Sequence, residues 1–146
     1  LILQLKSDIL GGATLLFYCH KYSNDIGETL MVDEVLGVHH IAELCECNAD
    51  LLNDSAFIST SLRQAVEHAN ATLIEEVKYE FTPQGITAVC LLSESHISIH
   101  TWPEKRYAAV DIFTCGDHTM PDKACEYMVE VLECMQPNIK VYFRGI

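Results

Sequence analysis

From Gly37 onward the apolar positions recur with a period that switches between two and about 3.6. The stretch from Val38 to Cys47, VHHIAELCEC, alternates loosely and reads as a strand. Asn53, Asp54 and Ser55 offer helix N-caps, and Phe57, Ile58, Leu62, Ala65, Val66 and Ala69 follow at helical spacing, which predicts a helix over roughly 55–70. Residues 72–81, 86–93, 96–102 and 107–115 predict four more strands, with Pro83-Gln84-Gly85 as the turn between the first two. Pro121 stands near the start of a second helix, where its missing N–H is harmless. Ala124, Met128, Val131, Leu132 and Met135 give that helix an apolar stripe, and Pro137-Asn138 is expected to stop it. Residues 139–143 predict the last strand. The order β-α-β-β-β-β-α-β implies an α+β fold: a two-layer sandwich, a mainly antiparallel sheet with two helices on one face.

Residues 1–36 are less regular. Ser23-Asn24-Asp25 with Gly27 reads as a turn. The apolar start is broken by Lys6, Asp8 and Gly11-Gly12, well short of a bilayer span. It also lacks the basic start and small-residue cleavage site of a signal peptide. The reading is an N-terminal appendage, 1–36, with no assigned role, followed by one domain, 37–146.

Composition adds three points. The chain has 146 residues, 49% of them hydrophobic, which fits one globular domain rather than disorder. The formal net charge of −12 disfavours nucleic acid and anionic membrane surfaces as partners. It suits a cationic small molecule, or solubility alone. The seven cysteines are odd in number, and free thiols in a reducing, cytoplasmic setting are the simplest account.

The densest chemistry lies in residues 93–104, Ser-Glu-Ser-His-Ile-Ser-Ile-His-Thr-Trp-Pro-Glu. On a strand, His96, Ser98 and His100 share one face and Ile97 and Ile99 the other. Three readings fit this pattern. It is an amphipathic strand with a solvated polar face. It is a metal site, with His96 and His100 joined by His39, His40, Cys45 or Cys47, although no CxxC pair or HExxH helix is present. Or it is a hydrolase in which His100 and a carboxylate activate Ser95 or Ser98, although the GxSxG elbow is absent. Periodicity and composition leave the three open.

The same segment closely resembles the processing site of prokaryotic S-adenosylmethionine decarboxylases, which are pyruvoyl-dependent. So does residues 107–117, Tyr-Ala-Ala-Val-Asp-Ile-Phe-Thr-Cys-Gly-Asp, and a weaker likeness runs from about Gly37 to the C-terminus. The resemblance implies that the proenzyme cuts its own backbone between Glu94 and Ser95. The Ser95 hydroxyl attacks the preceding carbonyl, the amide becomes an ester, and elimination and hydrolysis leave a pyruvoyl group at position 95. No metal and no pyridoxal phosphate is then needed. The pyruvoyl ketone takes the substrate amine as a Schiff base and receives the electrons left by decarboxylation.

Roles carry over residue by residue. His100 matches the histidine that handles the proton during elimination, a task suited to a group titrating near neutrality. Thr87 stands where relatives carry a processing serine; it keeps the hydroxyl but is stiffer at χ1. Cys115 matches the donor that protonates carbon, for which a thiol is mostly protonated at neutral pH. Glu104 matches an acid that holds ribose hydroxyls, and Phe81 an aromatic that stacks on adenine and can face a sulfonium. Cys45, Cys47, Cys90, Cys125 and Cys134 are read as structural, and His39 and His40 receive no role.

The implied reaction converts S-adenosylmethionine to carbon dioxide and S-adenosyl-3-(methylsulfanyl)propylamine, the aminopropyl donor for spermidine synthesis. A homodimer of processed protomers, with the site near the interface, is expected. Two alternatives remain: a pyruvoyl-dependent ornithine or arginine decarboxylase on the same scaffold, and a non-catalytic regulatory relative. Phe81 and Glu104 argue for the nucleoside substrate.

Overall fold

The computed structural model describes residues 35–145 together with two short strands, 21–23 and 29–31. The chain divides into two compact units, Leu1–Asp33 and Glu34–Ile146. In the first, β1 (Lys21–Ser23) pairs antiparallel with β2 (Thr29–Met31). The turn expected at Ser23-Asn24-Asp25 and Gly27 lies, beyond Ser23, outside the described residues.

The second unit runs β3 (Gly37–Cys45), α1 (Ala49–Leu52), α2 (Ser55–His68), β4 (Leu73–Glu80), β5 (Ile86–Leu92), β6 (Ser95–Trp102), β7 (Tyr107–Cys115), α3 (Pro121–Val131) and β8 (Gln136–Arg144). Its six strands form one sheet in the order β4-β5-β6-β7-β3-β8, and every neighbouring pair is antiparallel. This is the expected α+β sandwich.

Alternation decides which residues enter the core. On β7, Ala108, Val110, Ile112 and Thr114 are buried, while Tyr107, Ala109, Asp111, Phe113 and Cys115 take the other face. Ile97 and Ile99 of β6 and Ile86, Ala88, Cys90 and Leu92 of β5 continue the buried side. Against it pack Ile58, Leu62, Ala65 and Val66 of α2 and Ala124, Cys125 and Met128 of α3. Each fully buried Leu or Ile contributes about 1.5–3 kcal/mol. The Asp54 carboxylate caps α2, accepting the Ala56 and Phe57 N–H groups at 3.0 and 2.9 Å. Both long helices cover this one side of the sheet, and within this unit no described element covers the opposite side, the open face.

Two expectations need correction. A third, short helix, α1, precedes α2, and the Asn48 side chain caps it by accepting the Asp50 and Leu51 N–H groups. Four residues are too few for a periodic signal. The end of α3 also differs: the helix stops at Val131, and Glu133 turns the chain with φ +52°. Met135 therefore leaves the apolar stripe and is 76% exposed. Pro137 and Asn138 do not stop the helix; they lie inside β8, opposite Leu44 and Glu43. An edge strand tolerates proline because one row of its backbone groups has no ladder partner.

Candidate active site

Ser95 opens β6, directly after a two-residue turn, Ser93-Glu94, that joins it to β5. Two-residue hairpin turns that match strand twist need a positive φ within the turn, and glycine or asparagine usually supplies it. Neither is present. The positive φ falls instead on Ser95, at +146°. Such a conformation costs a non-glycine residue about 1–3 kcal/mol. The strain thus sits at the N–Cα bond of the residue whose peptide is the expected cleavage point.

That peptide is held on both sides. The Cys115 N–H donates to the Glu94 carbonyl at 2.9 Å. The Glu94 carboxylate accepts the Thr72 N–H at 2.9 Å and lies 3.3 Å from His118 Nε2. The Thr72 N–H holds the Glu94 carboxyl below its ordinary range, and the His118 contact adds to this. The loop bearing His118 is fixed in turn by the Asn70 amide, which donates to the His118 carbonyl at 2.9 Å. Gly37, opposite Cys115 on β3, leaves the room this end needs: a Cβ there would lie 2.6 Å from the Phe113 ring and 2.9 Å from Cys115 Sγ.

Thr87 and His100 form a directly opposed pair on β5 and β6, with Thr87 Oγ1 2.8 Å from His100 Nδ1. Phe81, just past the end of β4, is 52% exposed and meets Tyr79 edge to face. Glu104 lies in the 3-10 turn Pro103–Lys105 and accepts the Gln84 amide at 3.0 Å. These four residues gather where β4 ends, β5 begins and β6 ends.

The fold therefore separates the predicted residues into two groups. Glu94, Ser95 and Cys115 stand together at one end of the sheet. Thr87, His100, Phe81 and Glu104 stand at the other. Ser95 and His100 are five positions apart on one strand, or about 16 Å at the usual rise per residue. No side chain spans that distance.

His96, absent from the expected roles, lies with its Nδ1 3.2 Å from Ser95 Oγ. Its position beside Ser95 in the sequence was visible; the hydrogen bond was not, because strand neighbours normally face apart. His39 and His40 point to opposite sides of β3, His40 into the core and His39 onto the open face beside Asp111. Among the described residues no three His, Cys, Asp or Glu side chains are grouped to hold a metal ion. Burial pushes the Cys47 thiol up to about 12 and those of Cys90 and Cys125 up to about 11. No described helix is long and apolar enough to cross a membrane.

A two-layer sandwich with a strained, clamped peptide at a hairpin turn invites comparison with proteins that act on their own backbone. The sequence model of the S-adenosylmethionine decarboxylase family matches residues 38–145. A relative from Prochlorococcus marinus (strain MIT 9211), named S-adenosylmethionine decarboxylase proenzyme, is 54% identical over 110 residues, covering 75% of this chain and 90% of the relative. One of the same name from Thermodesulfovibrio yellowstonii is 45% identical over 111 residues, covering 76% and 82%. The crystal structure of the adenosylmethionine decarboxylase from Aquifex aeolicus VF5 superposes with a TM-score of 0.74 at 42% identity, covering 77% of this chain and 93% of that one. This chain belongs to the S-adenosylmethionine decarboxylase family.

Proposed function

We propose that the chain cleaves itself between Glu94 and Ser95 and then decarboxylates S-adenosylmethionine with a pyruvoyl group formed from Ser95. The observation that carries the reading is the state of the Glu94–Ser95 peptide. Its following residue is strained, and its carbonyl already accepts the Cys115 N–H. That N–H polarises the carbonyl and stabilises the negative charge that develops on its oxygen under attack. Relief of the Ser95 φ assists the same step.

A ketone at position 95 supplies a sink for the electrons left on the substrate α-carbon. The residues around the position fit such a group, since the Ser95 side chain is only partly buried and, among the described residues, no charged side chain is bonded to it. Cys115, on the neighbouring strand, returns a proton to carbon. His100, oriented by Thr87, takes the Ser95 Cα proton during elimination. Phe81 lies against adenine and the sulfonium, and Glu104 accepts the ribose hydroxyls. The names of the relatives favour S-adenosylmethionine over ornithine or arginine, and the product is the aminopropyl donor of spermidine synthesis.

The separation of the two groups within one chain supports a homodimer. The open face carries exposed Val77, Tyr79, Phe81, Leu91 and Tyr142. A second copy packed face to face, in the antiparallel sense of a two-fold axis, brings the Ser95 end of one protomer against the His100 end of its partner. Each dimer then holds two complete sites.

Intact mass after denaturation tests the core of the proposal. The expected result is two chains, 1–94 and 95–146, with the second blocked at its N-terminus and reducible by borohydride. Ser95→Ala is expected to stay a single, inactive chain. A Ser95→Ala chain that turns over S-adenosylmethionine would overturn the mechanism.

A further inference from the structure

Ser95 and His96 are adjacent in the chain, so in a regular strand their side chains would point to opposite faces. Instead Ser95 Oγ lies 3.2 Å from His96 Nδ1, a meeting that accompanies the positive φ of Ser95. His96 sits in an ordered surround. The Phe113 ring of β7 lies 6.0 Å away and the His39 ring of β3 6.3 Å away, both edge-on. His39 packs on Phe113 at 5.4 Å and places its buried Nε2 3.3 Å from Asp111 Oδ1. The charged and titratable groups around His96 are thus His39 from β3, Asp111 from β7 and Arg144 from β8. On β5 its register partner is the apolar Leu91.

We infer that His96 is the proton acceptor that frees the Ser95 hydroxyl for attack on the Glu94 carbonyl, and that His39 and Asp111 are positioning residues that hold its ring. The inference rests on the self-cleavage reading and assigns His96 to the first step only; His100 keeps the later proton on Cα. The step balances without any further reactant. The Ser95 Oγ–H proton passes to His96 Nδ1 as Oγ bonds to the Glu94 carbonyl carbon. The C–N bond to Ser95 breaks, its electron pair stays on nitrogen, and that nitrogen takes the proton back from His96. An amide and a hydroxyl become an ester and an amine, with nothing oxidised or reduced.

Nδ1 must be bare to accept, so the proton of neutral His96 resides on Nε2. Burial lowers the His96 pKa from its ordinary 6.5, with His39 and Arg144 adding to the effect and Asp111 opposing it. The ring is therefore neutral at pH 7 and ready to accept. The rate of the first step rises as pH climbs through this lowered value and is level by neutrality.

The test isolates the first step. Freshly synthesised full-length proenzyme is incubated with hydroxylamine, which cuts an ester at this position and leaves chain 1–94 as a hydroxamate readable by mass. His96→Asn retains a neutral acceptor near the Nδ1 position but cannot take up the proton. Trapping is expected to slow by about 100-fold, within the range of general-base contributions. A parental rate in His96→Asn overturns the inference, because a hydrogen bond alone would then suffice. The second measurement uses the unaltered chain, and so does not depend on how a variant folds. Its trapping rate is expected to be half-maximal below pH 6.5. A rate that stays flat across the histidine range overturns the inference. If Ser95→Ala is still cut at this bond, the self-cleavage reading itself falls; if it stays intact while His96→Asn traps at the parental rate, only the role of His96 falls.

Discussion

The two ends of the sheet's open face are built differently. Around Ser95 the backbone does much of the holding: the Cys115 N–H grips the Glu94 carbonyl, the Thr72 N–H grips the Glu94 carboxylate, and a positive φ stores strain at the next residue. Around His100 the arrangement rests on side chains instead. Thr87 and His100 pair across two strands, Glu104 accepts the Gln84 amide, and Phe81 is half exposed. The first end suits the breaking of a bond within the chain, which needs a fixed geometry before any ligand arrives. The second suits contact with something outside the chain, either a substrate or another copy's Ser95.

The comparison breaks most sharply if both ends of one site come from one chain. Ser95→Ala and His100→Ala, each inactive alone, are expected to regain turnover when co-folded, because a mixed dimer joins an intact Ser95 end to an intact His100 end. Random pairing would restore about a quarter of the parental sites. Absence of any recovery in a carbon dioxide release assay would remove the cross-copy arrangement.

The next effect separates cleavage from turnover at the Ser95 end. Cys115→Ala keeps its N–H on the Glu94 carbonyl and is expected to cut normally, while kcat falls on the order of 100-fold through loss of the proton donor. Equal loss in both assays would mean that the side chain serves structure alone.

At the other end, Thr87→Val removes the 2.8 Å contact to His100 Nδ1 and preserves shape. One hydrogen bond contributes about 0.5–1.5 kcal/mol, so elimination should slow by up to about tenfold, read as a longer-lived ester in the hydroxylamine assay. An unchanged ester lifetime would detach Thr87 from His100's task.

The smallest effect concerns the grip on Glu94. Its carboxyl titrates below the ordinary 4.5 in the folded chain, so its stabilising contribution is fully present above that value and is lost as pH falls through the lowered one. In the uncut Ser95→Ala background, adding Glu94→Gln should lower Tm slightly near neutrality, and the gap should close in acid. A gap that widens as pH falls would show that the Thr72 contact does not favour the charged form.

Much of the fold could be read along the chain because alternation and helical spacing are local signals. Val110, Ile112 and Thr114 enter the core because each is two residues from the next on a strand. The helix from Ser55 was marked by its Asp54 cap and by Leu62, Ala65 and Val66. The misplaced end of α3 marks the limit of such signals. Pro137 looked like a helix stop, but the positive φ of Glu133 had already turned the chain, and an edge strand accommodated the proline.

The order of Ser95, His100, Glu104 and Cys115 along the chain singled these residues out as candidates without any coordinates. The sequence alone also determined the alternating faces that hide Ile97 and Ile99 and leave His96 and His100 on the other side. Only the tertiary structure decided where those residues stand relative to one another. Strand register places Cys115 beside the Glu94 carbonyl and Thr87 opposite His100, and the length of β6 holds Ser95 and His100 apart. The reason is physical: a side chain's type and period are local properties, whereas a hydrogen bond between distant strands depends on register and on the turn that joins them, which only the packed sheet fixes.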